Sequence, residues 1–425
     1  MIRLVALVLA LASAGGCAYQ LVSRGEIRPV AFEAVFSRTM EARQIFVESS
    51  PRARVSTPHE LIAVVEAALD GQWSEEDLDA YESALVALGL WPPERNLRDE
   101  TVAVFSGEVS GLYVPATRTI YVIEGARSPL SLRLFSFFSQ RDFMAEFVLS
   151  HEIVHLLQHD AYPELLDPAF QRIDQDDLDR AIQAALEGDA LRYGYEAMGV
   201  GIDARSADAF GDDFEDDVIG NGGKALEDAP ALLRLTLAFP YVAGLPLSLS
   251  DGRALLERPP ASTEQALHRD RRREPFLVFD LRPARAVLPE GCTFVHENTV
   301  GELHLSVLFR DLGAAPSPDV WQGWDGDRFL VAECGTQLDF AWLSAWDRER
   351  DAEEFATAYA GIASAVAERA GHGAPPELLR SGREVTVATG ALRGLAGELG
   401  ALAARRRIVE AAELWAHFDA APAAP

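Results

Sequence analysis

Residues 143–160, FMAEFVLSHEIVHLLQHD, constrain this chain more than any other stretch. They predict a helix that is apolar on nearly every side, and such a helix is normally buried. Set into it are His151, Glu152 and His155, in the pattern H-E-x-x-H. Buried imidazoles and carboxylates need partners. Residues four apart on a helix stand about 6 Å apart along the axis on one face, so both imidazoles can reach one metal ion. Glu152, one position on, falls beside that ion, where a carboxylate can act on a water molecule as general base.

A catalytic zinc site takes three protein ligands and leaves a fourth position for water. His159 lies about 12 Å along the axis from His151, too far to share a tetrahedral ion with it. Glu187 is the better third ligand. It follows His155 by 187 − 155 = 32 residues and sits inside AIQAALEGDALRYGYEAM (181–198), a second predicted helix. The stretch DQDDLD (174–179) gives that helix an acidic first turn suited to its N-terminus. Ala184, Ala185, Gly188 and Ala190 would let it approach the first helix closely.

H-E-x-x-H followed by a glutamate on a later helix resembles the gluzincin zinc metallopeptidases. The spelling HEIVHLLQHD…ALEGDA is similar to a poorly characterised bacterial and archaeal gluzincin-like group, as are GLYVPATRTIYV (111–122), PPASTEQALH (259–268), ENTVGELHLSVLF (297–309) and GWDGDRFLVAE (323–333). The resemblance implies zinc held by His151, His155 and Glu187, Glu152 as general base, and a peptide or protein substrate. It makes His268 the candidate for steadying a tetrahedral oxyanion. It also implies that the strand GLYV borders the cleft and pairs with substrate backbone; a plain structural hairpin is the alternative. One departure concerns the surroundings of the ligands. Thermolysin-like members carry an aspartate four residues past the ligand glutamate, where this chain has Leu191. Asp189 is the alternative for that place, although at i+2 it falls toward the far side of the helix.

The start of the chain, MIRLVALVLALASAGGC, reads as a secretory signal too short to span a membrane, and Cys17 after Ala-Gly-Gly resembles a bacterial lipobox. Lipidation at Cys17 would place the protein in the cell envelope on a membrane anchor; ordinary cleavage near Ala14 would release it. In an exported chain, Cys292 and Cys334 could persist as a disulfide, with two free thiols the alternative. The net charge of −28 excludes nucleic acid and electrostatic docking on anionic lipid.

The expected fold is α+β and zincin-like, with a helical N-terminal part. Its divisions are a signal region (1–17), a helical subdomain (18–100), a catalytic domain (101–418) and a disordered tail (419–425). TVAVF (101–105), GLYV and TIYVI read as short strands. The acidic segment 201–228, with Asp212, Asp213, Glu215, Asp216 and Asp217, reads as a solvated loop, with calcium binding the less favoured reading. PALLRLTLAFPYVAGLPLSL (230–249) reads as buried core, Arg269 and Arg271–Arg273 as surface, and 391–417 as an Ala-rich helix. A catalytically silent zincin-fold envelope protein, acting as a binding or assembly module, is the competing reading. Replacing Cys17 with serine should move the protein from the membrane to the soluble fraction of a bacterial host; unchanged partitioning would remove the lipid anchor.

Overall fold

Capping chemistry fixes the helices at the start of the computed structural model, which describes residues 21–23, 25–108, 110–123, 142–166, 173–203, 223–313 and 317–419. Cys17, the acidic cluster at 212–217 and the tail from 420 lie outside the described residues. Helix α1 (Pro29–Arg43) opens on proline and stops where Gln44 turns left-handed. Strand β1 (Arg52–Ser56) comes next. Helices α2 (Pro58–Gln72) and α3 (Glu75–Ala87) begin with reciprocal capping boxes, Thr57 with Glu60 and Ser74 with Asp77.

The expected strand TVAVF is instead part of helix α4 (Leu97–Glu108). Asn96 Oδ1 accepts the Asp99 N–H, and Asp99 and Glu100 load the first turn with negative charge. These end effects outweigh the period-two look of TVAVF, whose Val102 packs against Leu61 and Val65 of α2. The other two strands form as expected, β2 (Gly111–Val114) and β3 (Thr119–Ile123), joined by a turn over Pro115–Thr117. In this sheet the order is β1-β3-β2, with β1 parallel to β3 and β2 at the edge. Strand β1 of the N-terminal part therefore shares a sheet with strands beyond residue 110, and the expected division at residue 100 falls inside α4.

Three long helices carry the centre of the molecule: α5 (Phe143–Ala161), α6 (Asp176–Ala197) and α7 (Ala231–Asp251). Helix α7 is long and apolar enough to cross a membrane, but 67% of its most apolar window is buried in the protein, as the sequence reading expects. It crosses α6 where two glycines meet. A β-carbon on Gly188 would stand 1.9 Å from the Gly244 carbonyl oxygen. The small residue at 188 thus serves the contact with α7 and not the contact with α5.

Helix α8 (Thr263–Leu267) is capped by Ser262, which accepts the Gln265 N–H (3.2 Å). Beyond β4 (Phe276–Asp280), the strands β5 (Cys292–Asn298), β6 (Trp324–Cys334), β7 (Gln337–Trp346), β8 (Glu377–Ser381) and β9 (Glu384–Ala388) make an antiparallel sheet of order β8-β9-β7-β6-β5. Helix α9 (Gly301–Leu312) joins β5 to β6, and α10 (Glu349–Ala370) packs Phe355 on Trp346 with ring centroids 4.5 Å apart. The architecture is mixed α and β throughout.

Two expectations need correction here. The Ala-rich segment 391–417 is helix α11 (Arg393–Leu402), strand β10 (Ala404–Ile408) paired with β4, and helix α12 (Ala411–Asp419). An extended Arg405–Arg407 lets Arg405 reach Glu384 (2.9 Å) and Arg407 reach Asp325 (2.7 Å). Within the basic run, Arg272 is buried, its Nε on Asp251 (2.9 Å). Cys292 and Cys334 are bonded, opposite one another on β5 and β6. That bridge closes a loop of 42 residues, so replacing both cysteines with alanine should lower the unfolding free energy by about 2–4 kcal/mol. Denaturant titration checks this, and an unchanged midpoint would deny the bridge a role in stability.

Candidate metal centre

His151 and His155 stand one turn apart on α5 with their Nε2 atoms 3.1 Å apart. Helix α6 brings Glu187 to them, Oε2 at 3.0 Å from His151 Nε2 and Oε1 at 3.5 Å from His155 Nε2. Zinc binds N and O donors at 2.0–2.2 Å, so tetrahedral ligand atoms stand about 3.3–3.5 Å apart. The three observed spacings lie near that value. Two imidazoles and one carboxylate form a donor set that suits a divalent transition metal, and these three residues could hold one ion between them.

The second layer was not legible as such. His155 Nδ1 is 2.9 Å from Gln158 Oε1, so with the proton on Nδ1 the ring donates there and turns its Nε2 lone pair toward Glu187. Gln158 Nε2 in turn donates to Leu186 O (2.9 Å) and to Asp189 Oδ2 (3.0 Å). Asp189 is paired with Arg43 (2.9 Å), the last residue of α1, whose guanidinium lies over the Tyr193 ring. The expectation that Asp189 points away is therefore wrong: it reaches the centre through Gln158, from the face of α6 that meets α5. His151 Nδ1 has no hydrogen-bond partner among the described residues.

Glu152 is held from the other side. Its Oε2 accepts the Tyr113 N–H from edge strand β2 (2.7 Å). Only a glycine lets that strand lie so close, because a β-carbon on Gly111 would stand 2.5 Å from Val148 and 3.0 Å from Glu152 Cγ. Tyr241 of α7 is placed where the Glu187 charge acts on its phenol. Sequence reading took that helix as plain core and missed Tyr241, as it missed Arg43 and Gln158.

Charge coupling is strong in this pocket. Burial works to lower the His155 pKa, but the charge and hydrogen bond of Glu187 outweigh it and carry it up to about 9. Burial opposes ionisation of Glu187, yet the two histidines hold it well below the usual carboxylate range. Glu152 is raised, by burial above all, with the histidines and the Tyr113 N–H pulling the other way. The Tyr241 phenol is pushed far up by the Glu187 charge and by burial, so it keeps its proton.

His159 stays apart from the triad, its Nδ1 2.7 Å from the Tyr113 hydroxyl. His268 is placed elsewhere too, with Nε2 2.8 Å from Glu302 of α9. Its neighbouring helix α8 is tied at Thr263 to Asp177, ten residues before Glu187 and so about 15 Å along α6.

A family model described as a domain of unknown function (DUF8575) matches residues 292–398. That span carries the five-stranded sheet and α10, and none of the triad. No curated protein and no solved structure matches the chain.

Because metal must displace the proton that His155 holds up to about pH 9, zinc affinity should rise with pH toward that value. In metal-free protein the sign for stability is opposite. The His155–Glu187 contribution is complete below about pH 6.5 and is lost as pH rises through about 9. Gln158→Leu should weaken zinc about 10- to 100-fold, the usual effect of removing a ligand's hydrogen-bond partner. Calorimetric zinc titrations between pH 6 and 9 check both; a flat pH profile would contradict the charge state assigned to His155.

Proposed function

We propose that this chain is a zinc-dependent metallopeptidase of the cell envelope, exported and held to the membrane by an acyl chain on Cys17. The observation that carries the reading is Glu152. It is a fourth ionisable group in a pocket that already has three metal donors, 7% exposed and positioned by a backbone N–H. A purely structural metal clamp has no use for a buried carboxylate beside it, which costs free energy to keep there.

Bound at His151, His155 and Glu187, zinc would lower the pKa of a water ligand to about 7 and polarise a carbonyl oxygen. The chain's own groups supply the rest. Glu152, with its pKa raised toward the working range by burial, takes the proton of the attacking water and returns it to the leaving amine. The Tyr113 N–H fixes the carboxylate's orientation while leaving Oε1 for that proton. Tyr241, protonated at any physiological pH, is a hydrogen-bond donor at the same pocket. It takes the oxyanion-stabilising place for which His268 was the sequence candidate. Strand β2 is an edge directly beside Glu152, which supports binding of an extended peptide by added backbone pairing.

Glu152→Gln keeps shape and the Tyr113 hydrogen bond but cannot accept the proton at neutral pH. Zinc content should stay at one ion per chain, while turnover of a mixed peptide library should fall about 10²–10⁴-fold. Equal turnover by the variant and the parent would reject the mechanism. Zinc bound in both with no cleavage by either would favour the binding-module reading.

A further inference from the structure

A cavity of about 180 Å³ lies where the N-terminal helices α2, α3 and α4 meet α6, α7 and α9. Its body is apolar, with Leu85, Trp91, Phe105 and Leu233 among its walls. None of His151, His155 and Glu187 borders it, so it is separate from the metal centre. A dry cavity of about 150 Å³ takes a benzene ring, so this one has room for a six-membered ring with a small substituent.

One buried group makes the cavity more than a packing defect. His304 of α9 lines it, is 3% exposed and makes no hydrogen bond among the described residues. Its Nδ1 stands 4.0 Å from Asp176 Oδ2, which already accepts the Tyr81 hydroxyl (2.6 Å). Keeping an imidazole buried and unpartnered costs free energy, and a hydrogen bond to a guest would offset that cost. Burial, with the Arg180 charge acting the same way, lowers its pKa to about 3 and keeps it neutral. A neutral imidazole presents one N–H and one lone pair. The Nε1–H of Trp73, another wall residue, is also buried without an acceptor.

The charges in the wall are already balanced. Arg98 pairs with Asp70 (2.7 Å). Arg180 acts on buried Asp176, opposing the rise in pKa that burial causes, and it borders an adjoining hollow together with Glu164 and Asp179. An ionised guest would give up its hydration without meeting a free countercharge. We infer that the cavity is a binding site for a small uncharged alcohol, its ring or branched chain among the apolar walls and its hydroxyl on His304. A hydroxyl fits because it both donates and accepts, as a neutral imidazole does. Water alone suits the space poorly, since a buried water takes two to four polar partners and most of this wall is apolar.

The probe is cyclohexanol, titrated into the purified full chain by calorimetry and by the fluorescence of Trp73 and Trp91 in the wall. Cyclohexanecarboxylate and cyclohexylamine are charged controls of similar size. Neither readout depends on zinc or on peptide cleavage, so the result stands apart from the peptidase reading. Cyclohexanol should bind saturably at one site per chain, and both charged controls about tenfold or more weakly than it does. His304→Leu should weaken cyclohexanol about fivefold, the share of one neutral hydrogen bond. His304→Gln, which keeps a donor and an acceptor, should retain most of the affinity. Leu233→Trp should abolish binding by filling the cavity; Leu237→Trp, at a partly exposed wall position, replaces it if that variant does not fold. No saturable binding of cyclohexanol, equal binding of a charged control, affinity in His304→Leu equal to that of the parent or of His304→Gln, or full binding by the folded tryptophan variant would overturn the assignment.

Discussion

The buried ion pair between Arg43 and Asp189 holds the centre of this molecule together. Their side chains are 3% and 0% exposed, and neither could remain charged there alone. Burial pushes the Asp189 carboxyl up, while Arg43 and Gln158 favour its ionised form. Removing one partner of such a pair leaves an uncompensated buried charge, at a cost of about 3–5 kcal/mol. The pair also sets geometry. Arg43 ends α1, Asp189 sits two residues past Glu187, and Gln158 links both to His155. Three helices distant in sequence are thereby registered against one another at the point where the two imidazoles meet the carboxylate.

Helix α6 transmits that registration to the C-terminal half. At its first turn, Asp177 accepts from the Thr263 N–H and hydroxyl, and the Asp176 N–H donates to Asn298 Oδ1 (3.0 Å). Beneath them Asp327 of β6 accepts four N–H groups, from Val300, Gly301, Trp324 and Trp342. A carboxylate so fully bonded can stay buried without a cation beside it. Gly301, at φ 71, is the position that permits this, since a β-carbon there would stand 2.0 Å from Asp177 Oδ1. The blocks ENTVGELH and GWDGD thus fix the end of the helix that carries Glu187.

What the sequence made legible was whatever depends on local spacing. His151 and His155 share one helical face with Glu152 beside it, and that pattern survives any detail of packing. Glu187 could be chosen because acidic residues begin its helix and small ones surround it. The hairpin GLYV–TIYVI was visible in the same way, whereas the bond between Cys292 and Cys334, 42 residues apart, was left open against two free thiols. Arg43 and Tyr241 were not visible, because each matters only through a partner more than 50 residues away, and Gln158 was not, because its bond to His155 gains its meaning from Leu186 and Asp189 on the next helix. Asp189 was misplaced by counting rotation on one helix without knowing where the next one lay. TVAVF alternates like a strand, yet its fate was decided by Asn96 before it and by the apolar face of α2 beside it.

The same reasoning explains why the centre can be both rigid and chemically poised. Gly111 removes a side chain where β2 presses on α5, so the strand's N–H reaches Glu152. Close packing excludes water, and low water content is what raises the Glu152 pKa and strengthens the coupling of Glu187 to the histidines. A looser pocket would relax both shifts together. Glu152 would return toward an ordinary surface carboxylate, a weaker base, and His155 would surrender its proton more readily to metal. Tight packing therefore couples the two shifts. The Gln158–Asp189–Arg43 chain fixes the orientation of His155 beside Glu187.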